Sequence, residues 1–332
     1  MKSACLPIII AITATACCQP SPRKDDPALS SATGGLKLLK ESPIQDLLAG
    51  DDRRDRLEAS GVTKRGADLF VAFDNMSQIA RLNADLSANA AGSVWRGGQE
   101  EKVGYEAIVW VEARSRFFTV IEAVEAVEAG DDADKKKKKK DKRFKAQIRA
   151  FDQDMGLQSE GAVGFEFESE NKGLEGLAVL GDGELVLGLC EGQGCRKKAK
   201  EGGRGVVLVL EPEEGGGWKP ARELELPKLA SFGDYADIAV APDGRVAVVS
   251  QEDASIWIGA LTPDAQGFQG EGKVWPLPRD ADGQVCYCNV EGVAWIDDRR
   301  LVLVSDKAKD DQPAACRPKQ ESIHLFEVDD AP

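Results

Sequence analysis

The sequence is poor in the side chains that carry most enzymatic acid–base and zinc chemistry. Among 332 residues it holds a single histidine, His324, and only three tyrosines. One histidine excludes zinc sites built from several histidines, and it argues against a Ser-His-Asp triad and most general-base histidine chemistry. Any reaction would therefore have to use carboxylates, hydroxyl groups or a metal ion held by carboxylates.

Positive charge and long apolar runs are also scarce. The chain has 43 Lys and Arg against 57 Asp and Glu, a formal net charge of −14 and a pI of about 4.8. An acidic surface of this kind repels phosphate backbones, so we expect no nucleic-acid partner. No apolar run approaches the ~20 residues of a membrane-spanning helix. The composition is otherwise that of an ordinary globular domain, for which we expect a monomer.

The N-terminal residues indicate export. Met1-Lys2 is followed by an apolar stretch from Leu6 to Ala16, which is typical of a secretory signal. Ala14-Thr15-Ala16-Cys17 resembles a bacterial lipobox, in which the cysteine is lipidated after cleavage. We predict a lipoprotein signal peptide over residues 1–16 and lipidation at Cys17. Cys18 offers a second register, and a plain secretory signal cleaved near Ala16 is the alternative.

Residues 17–35 predict a disordered tether, because they are rich in Pro, Ser, Asp and Gly and have no apolar period. Lipidation would hold the folded domain in the cell envelope, on the outer membrane or on the periplasmic or extracellular side. Contact with the membrane would then be through the lipid anchor only.

A repeated pattern of strands predicts an all-β fold, a β-propeller. Each copy has a small or acidic residue, an apolar strand, a tight turn and a second strand that ends on an acid. The clearest copies begin at Leu174-Glu175-Gly176-Leu177-Ala178 and at Val290-Glu291-Gly292-Val293-Ala294. We count five four-stranded blades over residues 36–328, and six if two repeats are merged. The outer strand of the second blade is predicted at 162–167.

The last predicted blade is one strand short. Leu36-Lys37-Leu38-Leu39-Lys40 can supply that strand. Pairing of this N-terminal strand with the C-terminal blade would close the ring and remove exposed edges. A charged insertion at about 125–143, with six lysines from Lys135 to Lys140, interrupts the second blade. Such a segment is either a solvated loop or a patch for anionic lipid.

Acidic residues recur where first strands begin and second strands end. In a propeller these two places converge on one mouth of the central channel, because the strands are antiparallel. The strand starts are Ser60, Glu106, Glu175, Asp237 and Glu291, and the strand ends are Asp74, Asn75, Glu122, Glu191, Glu252 and Asp306.

Crowded carboxylates favour a bound hard cation, Ca²⁺ above all, as cofactor. The candidate metal ligands are Asp74, Glu106, Glu122, Glu175, Asp237, Glu291 and Asp306. The alternative is that these acids accept hydrogen bonds from backbone N–H groups of neighbouring blades and lock the ring.

The cysteines predict disulfides, because an exported protein can keep them. Cys190 and Cys195 flank a short flexible loop, so we predict that they pair. Cys316 lies on the same face as Cys286 and Cys288, and we predict its pairing with Cys288 or Cys286. The count of cysteines does not decide between these two.

These motifs, in this order, resemble the SdiA-regulated propeller family of bacterial envelope proteins, which is related to phytase-like and esterase-like propellers. The matching segments are Ser60-Gly61-Val62-Thr63, Tyr105-Glu106-Ala107-Ile108, Leu174 to Ala178, Asp234 to Asp237, Val290 to Ala294 and Val304-Ser305-Asp306. Asp237 and Ala107 stand where that family has glycine, and the lysine insertion is a further departure. The resemblance implies a propeller with calcium as an expected ligand, and no settled activity.

Two functions fit these observations. The first is a lipid-anchored binding module whose acidic mouth takes a cation, a small ligand or an envelope protein. The second is a hydrolase of esters or phosphoesters, in which Glu106, Glu175, Glu291 and Asp306 would hold the cation. Fold class does not choose between them, because propellers host many functions.

Overall fold

The structure, a computed structural model, contains five four-stranded antiparallel sheets whose innermost strands contact one another in a closed ring. This is a five-bladed β-propeller. The structure describes residues 35–49, 54–88, 92–97, 103–125, 143–167, 169, 172–192, 195 and 204–329. The predicted signal peptide, Cys17, nearly all of the tether and the lysine run lie outside the described residues and stay predictions.

Four of the blades follow chain order from the axis outward. The described chain begins with β1 (Leu36–Pro43) and a short helix, α1 (Ile44–Leu47). The first blade contains β2 (Ala59–Arg65), β3 (Asp68–Phe73), β4 (Gln78–Asn83) and β5 (Val94–Gly97). The second contains β6 (Ala107–Val111), β7 (Arg116–Glu125), β8 (Phe144–Phe151) and β9 (Leu157–Ala162). The third contains β10 (Leu174–Leu180), β11 (Leu185–Cys190), β12 (Val206–Pro212) and β13 (Trp218–Glu225). The fourth contains β14 (Asp237–Val240), β15 (Arg245–Ser250), β16 (Ser255–Leu261) and β17 (Phe268–Pro276).

The fifth blade joins the two ends of the described chain. It contains β18 (Val290–Trp295), β19 (Arg300–Ser305), β20 (Ser322–Val328) and, outermost, β1. β1 runs antiparallel to β20, with Leu36 opposite Val328 and Pro43 opposite Ser322. The predicted closure is therefore confirmed. Three 3₁₀ helices lie in loops, at Glu112–Arg114, Lys228–Ala230 and Ala314–Lys319.

The hydrophobic core is divided into five clusters, one between each pair of neighbouring blades. Strand β3 shows how the sequence builds two of them. Side chains alternate across a strand, so Leu69, Val71 and Phe73 pack toward the fifth blade, while Phe70 and Ala72 pack toward the second. Because both faces of an inner strand are buried, these strands are continuous apolar runs.

The outer strand of the second blade differs from the prediction. We expected it at 162–167, but β9 spans Leu157–Ala162, and Phe167 makes only an isolated bridge to Phe144. β9 is polar and mostly exposed, so it carries no apolar signal. The apolar residues that follow it, Val163 and Phe167, pack instead into the core between the second and third blades.

No helix in the described part of the chain is both long and apolar enough to cross a membrane.

Candidate functional site

Most of the acidic residues at the strand starts and strand ends line one cavity of about 620 Å³, whereas Asp237 and Asp306 are not part of its lining. Nine of its fifteen lining residues are acidic, and Lys309 is the one basic residue among them. The acids are Asp74, Glu106, Glu122, Glu175, Glu191, Asp234, Glu252, Glu291 and Asp311. We call this cavity the acidic mouth. A second cavity, of about 640 Å³, lies at the other end of the inner strands and is lined mainly by apolar residues.

A β-bulge places Glu175 and Glu291 on the wall of the acidic mouth. In β10 the register with β11 shifts between Leu174 and Gly176, so Glu175 has no partner across the ladder. Glu291 in β18 and Ser60 in β2 occupy the equivalent position. Bulges re-aim a side chain and are common beside functional sites.

The glycine after each bulged glutamate lets the inner strands approach closely. A Cβ on Gly176 would lie 2.7 Å from the backbone nitrogen of Ile238 in the next blade. A Cβ on Gly292 would lie 2.9 Å from the Cα atom of Gly61. The Glu-Gly repeat in the sequence therefore combines an acid at the mouth with a close contact at the axis.

Three glutamates form the densest part of the site. Glu122, Glu175 and Glu191 each offer a carboxylate oxygen, and these oxygens all lie within 4.8 Å of one another. We call this set the glutamate cluster. Glu122 accepts a hydrogen bond from the backbone N–H of Gly173 at 3.0 Å, and Glu191 pairs with the Lys172 ammonium at 2.8 Å. The side chains of Glu122 and Glu175 hydrogen-bond to each other.

The other mouth acids interact electrostatically with one another. Asp74 is repelled by the charges of Glu106 and Asp306. Glu291 is repelled by the charges of Asp306, Glu106 and Asp74. Asp306 is buried and lines a small adjoining pocket rather than the main cavity. The Oδ1 atom of Asp74 is buried and has no hydrogen-bond partner in the described part of the chain.

Burial first, and neighbouring carboxylates second, raise the pKa values of the mouth acids. The pKa is about 7 for Asp74, about 8 for Glu106 and about 7 for Glu122. Burial also raises the pKa of Asp306 to about 6, although the Lys307 N–H acts in the opposite direction. The pKa values of Glu175 and Glu291 lie well above the ordinary value for the same reasons. Near neutral pH Glu106 therefore mainly holds its proton, Asp74 and Glu122 are about half protonated, and Asp306 is mainly ionised.

Asp237 has a different role from the other strand-start acids. β14 has no bulge there, and Asp237 pairs directly with Val249. Its carboxylate accepts hydrogen bonds from the N–H groups of Ile238 at 2.8 Å and Val293 at 2.9 Å, and also from that of Leu177. It thus connects the third, fourth and fifth blades and is not among the lining residues of the acidic mouth. For Asp237 the structure therefore shows the alternative role given above, in which an acid accepts hydrogen bonds from backbone N–H groups of neighbouring blades.

Ser305, His324 and Glu41 form a hydrogen-bonded chain beside the mouth, in which Ser305 and His324 are buried and Glu41 is partly exposed. His324 Nε2 lies 2.9 Å from Ser305 Oγ, and His324 Nδ1 lies 3.1 Å from Glu41 Oε2. The order of atoms is that of a hydrolase triad. However, Ser305 is 2% exposed and His324 is 0% exposed, so no substrate reaches the serine. The hydrogen-bonded chain joins β19, β20 and β1, and we assign it to closure of the ring.

Both disulfides of the described chain stand at the mouth. Cys190 pairs with Cys195 at a Cα–Cα distance of 5.2 Å, and Cys288 pairs with Cys316 at 5.6 Å. Cys286 is a buried free thiol, so the choice left open by the sequence falls on Cys288. Cys190 directly precedes Glu191, and Cys288 itself lines the cavity.

Sequence reasoning left several mouth residues out of the candidate ligands. Glu191 appears above only as a strand-end acid, although it completes the glutamate cluster. Asp234, Asp311 and Lys172 lie in connections between strands, where no periodic pattern marks them. Position in the repeat identifies strand ends, whereas the path of a loop depends on the whole fold.

Comparison with known proteins shows no family for this chain. No protein-family model matches the chain, and no curated protein matches it. Solved structures similar to the chain include the PQQ-bound aldose sugar dehydrogenase of Streptomyces coelicolor, with 13% identity, 90% of this chain and 99% of that chain covered, and a TM-score of 0.45. Glutaminyl cyclase of Myxococcus xanthus has 10% identity, 89% and 97% coverage, and a TM-score of 0.48. The β-propeller domain of Myceliophteria thermophila Cps50 has 8% identity, 81% and 83% coverage, and a TM-score of 0.41. None of these TM-scores reaches 0.5, and the SdiA-regulated family is not established by these structures.

Proposed function

We propose that this protein is a binding module whose acidic mouth holds a divalent cation, Ca²⁺ above all. The observation that carries the proposal is the glutamate cluster: oxygens of Glu122, Glu175 and Glu191 within 4.8 Å of one another on the wall of an acidic cavity. The Gly173 N–H holds Glu122 in place, and the Cys190–Cys195 disulfide constrains the strand end that carries Glu191.

The chemistry of this donor set fits a hard cation. Ca²⁺ takes six to eight oxygen ligands at about 2.3–2.6 Å and prefers carboxylates, carbonyls and water. The cluster supplies carboxylate oxygens, and the open cavity leaves room for water ligands. The Oδ1 atom of Asp74, which has no hydrogen-bond partner in the described part of the chain, is a further acceptor in the same cavity. A cation would also offset the repulsion that raises the pKa values of these acids.

The expected setting of this module is the cell envelope, with a lipid at Cys17 as its only membrane contact. The lipobox-like sequence supports it, and so do the two disulfides, which persist in oxidising compartments. The motif resemblance to the SdiA-regulated family agrees with such a setting. A small ligand or an envelope protein would then meet the cation at the mouth.

Thermal melting of the protein from residue 35 onward, in EDTA and in excess Ca²⁺, tests the proposal. A ligand at a hundredfold excess over Kd stabilises a folded protein by about 2.7 kcal/mol, which amounts to several degrees in Tm for a domain of this size. Glu175→Gln should abolish the shift. Glu252→Gln, an exposed acid of the same cavity outside the cluster, should retain it. A wild-type protein that melts identically in EDTA and Ca²⁺ would refute cation binding.

A metal-dependent hydrolase is the second candidate, favoured by the pKa values near neutrality. Asp74, with a pKa of about 7, and Glu106, with a pKa of about 8, can exchange protons at physiological pH beside the glutamate cluster. A cation bound there would polarise an ester or phosphoester oxygen. Turnover of p-nitrophenyl acetate or p-nitrophenyl phosphate that requires Ca²⁺ and is lost in Glu106→Gln would support this function. If the protein binds the cation but hydrolyses neither ester, the hydrolase is excluded and the binding module remains the proposed function.

A further inference from the structure

Lys172 is a basic residue in direct contact with the glutamate cluster. Its Nζ atom lies 2.8 Å from Glu191 Oε2. The next residue, Gly173, donates its backbone N–H to Glu122 Oε1 at 3.0 Å and accepts a hydrogen bond from the backbone N–H of Glu191 at 3.3 Å. One dipeptide therefore supplies a donor to each of two cluster carboxylates, and it is itself attached to the strand end that carries Glu191.

The two donors of this dipeptide differ in how easily they can move away from the carboxylates that they bind. The Gly173 N–H belongs to the backbone, and the hydrogen bond from Glu191 fixes its position. The Lys172 ammonium is the tip of a flexible side chain that is 44% exposed, and its partner Glu191 is 34% exposed. An ammonium at this place can therefore move into solvent without unfolding any part of the blade.

From this geometry we infer that Lys172 is an internal counter-ion of the cation site, which an incoming divalent ion must displace from Glu191. The inference rests on the proposed cation function and adds how the site selects its ion. In the free protein the ammonium offsets part of the negative charge of the cluster. A divalent ion that replaces it brings one more positive charge, whereas Na⁺ or K⁺ brings none. Lys172 therefore lowers affinity for every cation, and for a monovalent ion this cost cancels most of the electrostatic gain.

Lys309 provides a matched comparison. It is the basic residue that lines the acidic mouth, and it makes no ion pair with the glutamate cluster in the described part of the chain. Substitution of Lys309 by Met removes one positive charge from the same cavity and leaves the ion pair between Lys172 and Glu191 in place. Lys172→Arg keeps the charge at Glu191, while Lys172→Met removes it and keeps most of the apolar stem.

Calorimetric titration of the full chain with CaCl₂ tests the inference, in low salt and with 150 mM added NaCl or choline chloride. We expect Lys172→Met to bind Ca²⁺ about tenfold more tightly than the wild type, because no ammonium group then competes with Ca²⁺ for Glu191. Lys172→Arg should resemble the wild type, and Lys309→Met should change affinity much less. Only in Lys172→Met should NaCl weaken Ca²⁺ binding more than choline chloride does. Equal or weaker Ca²⁺ binding by Lys172→Met would overturn the inference.

A melt in EDTA separates failure of this inference from failure of the proposed function. If neither the wild type nor Lys172→Met binds Ca²⁺, the cation function is wrong. The counter-ion role then stands only if Lys172→Met melts at a lower temperature than both Lys172→Arg and Lys309→Met, because unbalanced carboxylates repel. Equal melting temperatures for the three variants would overturn the counter-ion role as well.

Discussion

At the scale of single residues, the backbone around an acid decides what that acid does. Glu175 and Glu291 sit on bulges and point their carboxylates into the acidic mouth. Asp237 occupies the corresponding place in a strand without a bulge, and its oxygens accept backbone N–H groups from three blades. One repeat position therefore lines the acidic mouth in two blades and joins neighbouring blades in another.

Asp237→Asn should destabilise the domain by about 1–3 kcal/mol, because an amide has one acceptor oxygen and its NH₂ group would face a backbone donor. Urea unfolding measures this as a lower midpoint with an unchanged slope. The control is Asp298→Asn, an exposed acid in a turn, which should stay within about 0.5 kcal/mol of the wild type. A stability equal to that of the control would remove Asp237 from its locking role.

At the scale of elements, the closing strand β1 is held by more than its ladder. Glu41 of β1 accepts a hydrogen bond from Tyr287 at 3.1 Å and pairs with Lys319 and with His324. These contacts join the outermost strand to β20 and to the loops that flank the fifth blade. The outermost strand of the fifth blade is therefore fixed by contacts of a charged residue near the mouth, in addition to its hydrogen bonds with β20.

The hydrogen bond from His324, followed by that from Lys319, lowers the pKa of Glu41 from 4.5 to about 2, against the opposing effect of burial. The ionised carboxylate therefore stabilises the folded state above about pH 4.5, and this contribution is lost as the pH falls toward 2. Glu41→Gln should cost about 1–2 kcal/mol at pH 7. The difference from wild type should shrink steadily between pH 4.5 and 2.

Urea titrations at pH 7, 5, 4 and 3 measure that difference directly. Glu327→Gln on β20 is the control, since its ion pairs with Lys37 at 3.9 Å and Arg299 at 3.7 Å are at the surface and contribute little. A loss of stability in Glu41→Gln that stays constant down to pH 3 would show that the charge on Glu41 is not what holds β1.

At the scale of the whole molecule, five blades direct their acids to one mouth and share the repulsion that results. The folded protein holds protons there that the unfolded chain would release, because the pKa values of Asp74, Glu106 and Glu122 lie at about 7, 8 and 7 against ordinary values of 3.8, 4.5 and 4.5. Without a cation, stability should therefore fall as the pH rises from about 4.5 to 8.

Melts in EDTA from pH 4.5 to 8.5 test this, and one such group changes stability by at most about 1.4 kcal/mol per pH unit. We expect the highest Tm in EDTA at the acid end of this range, a flatter profile for Glu106→Gln, and recovery of Tm at pH 8 when Ca²⁺ is added. A Tm in EDTA that is constant or rises toward pH 8 would contradict the crowding of these carboxylates.

The chain's local patterns were sufficient to predict the architecture. Runs such as Leu69 to Phe73 indicate inner strands because both of their faces are buried, and this property repeats at each blade. The pairing of Leu36 to Lys40 with the last blade followed from a count of strands, and in the structure the paired strand extends to Pro43. β9 was misplaced because an exposed outer strand needs no apolar side chains, so its position depends on pairing with β8 alone.

The sequence by itself determined a propeller of repeated blades, the acids at strand starts and ends, and the Cys190–Cys195 pair, because each of these depends on neighbours a few residues apart. Only the tertiary structure decided that Cys288 rather than Cys286 pairs with Cys316, that Asp237 faces backbone donors, and that Lys172 and Glu191 meet Glu122 and Glu175. These outcomes depend on bulges and on loops from different blades that meet at the axis, where an approach of one or two ångströms decides which side chains touch.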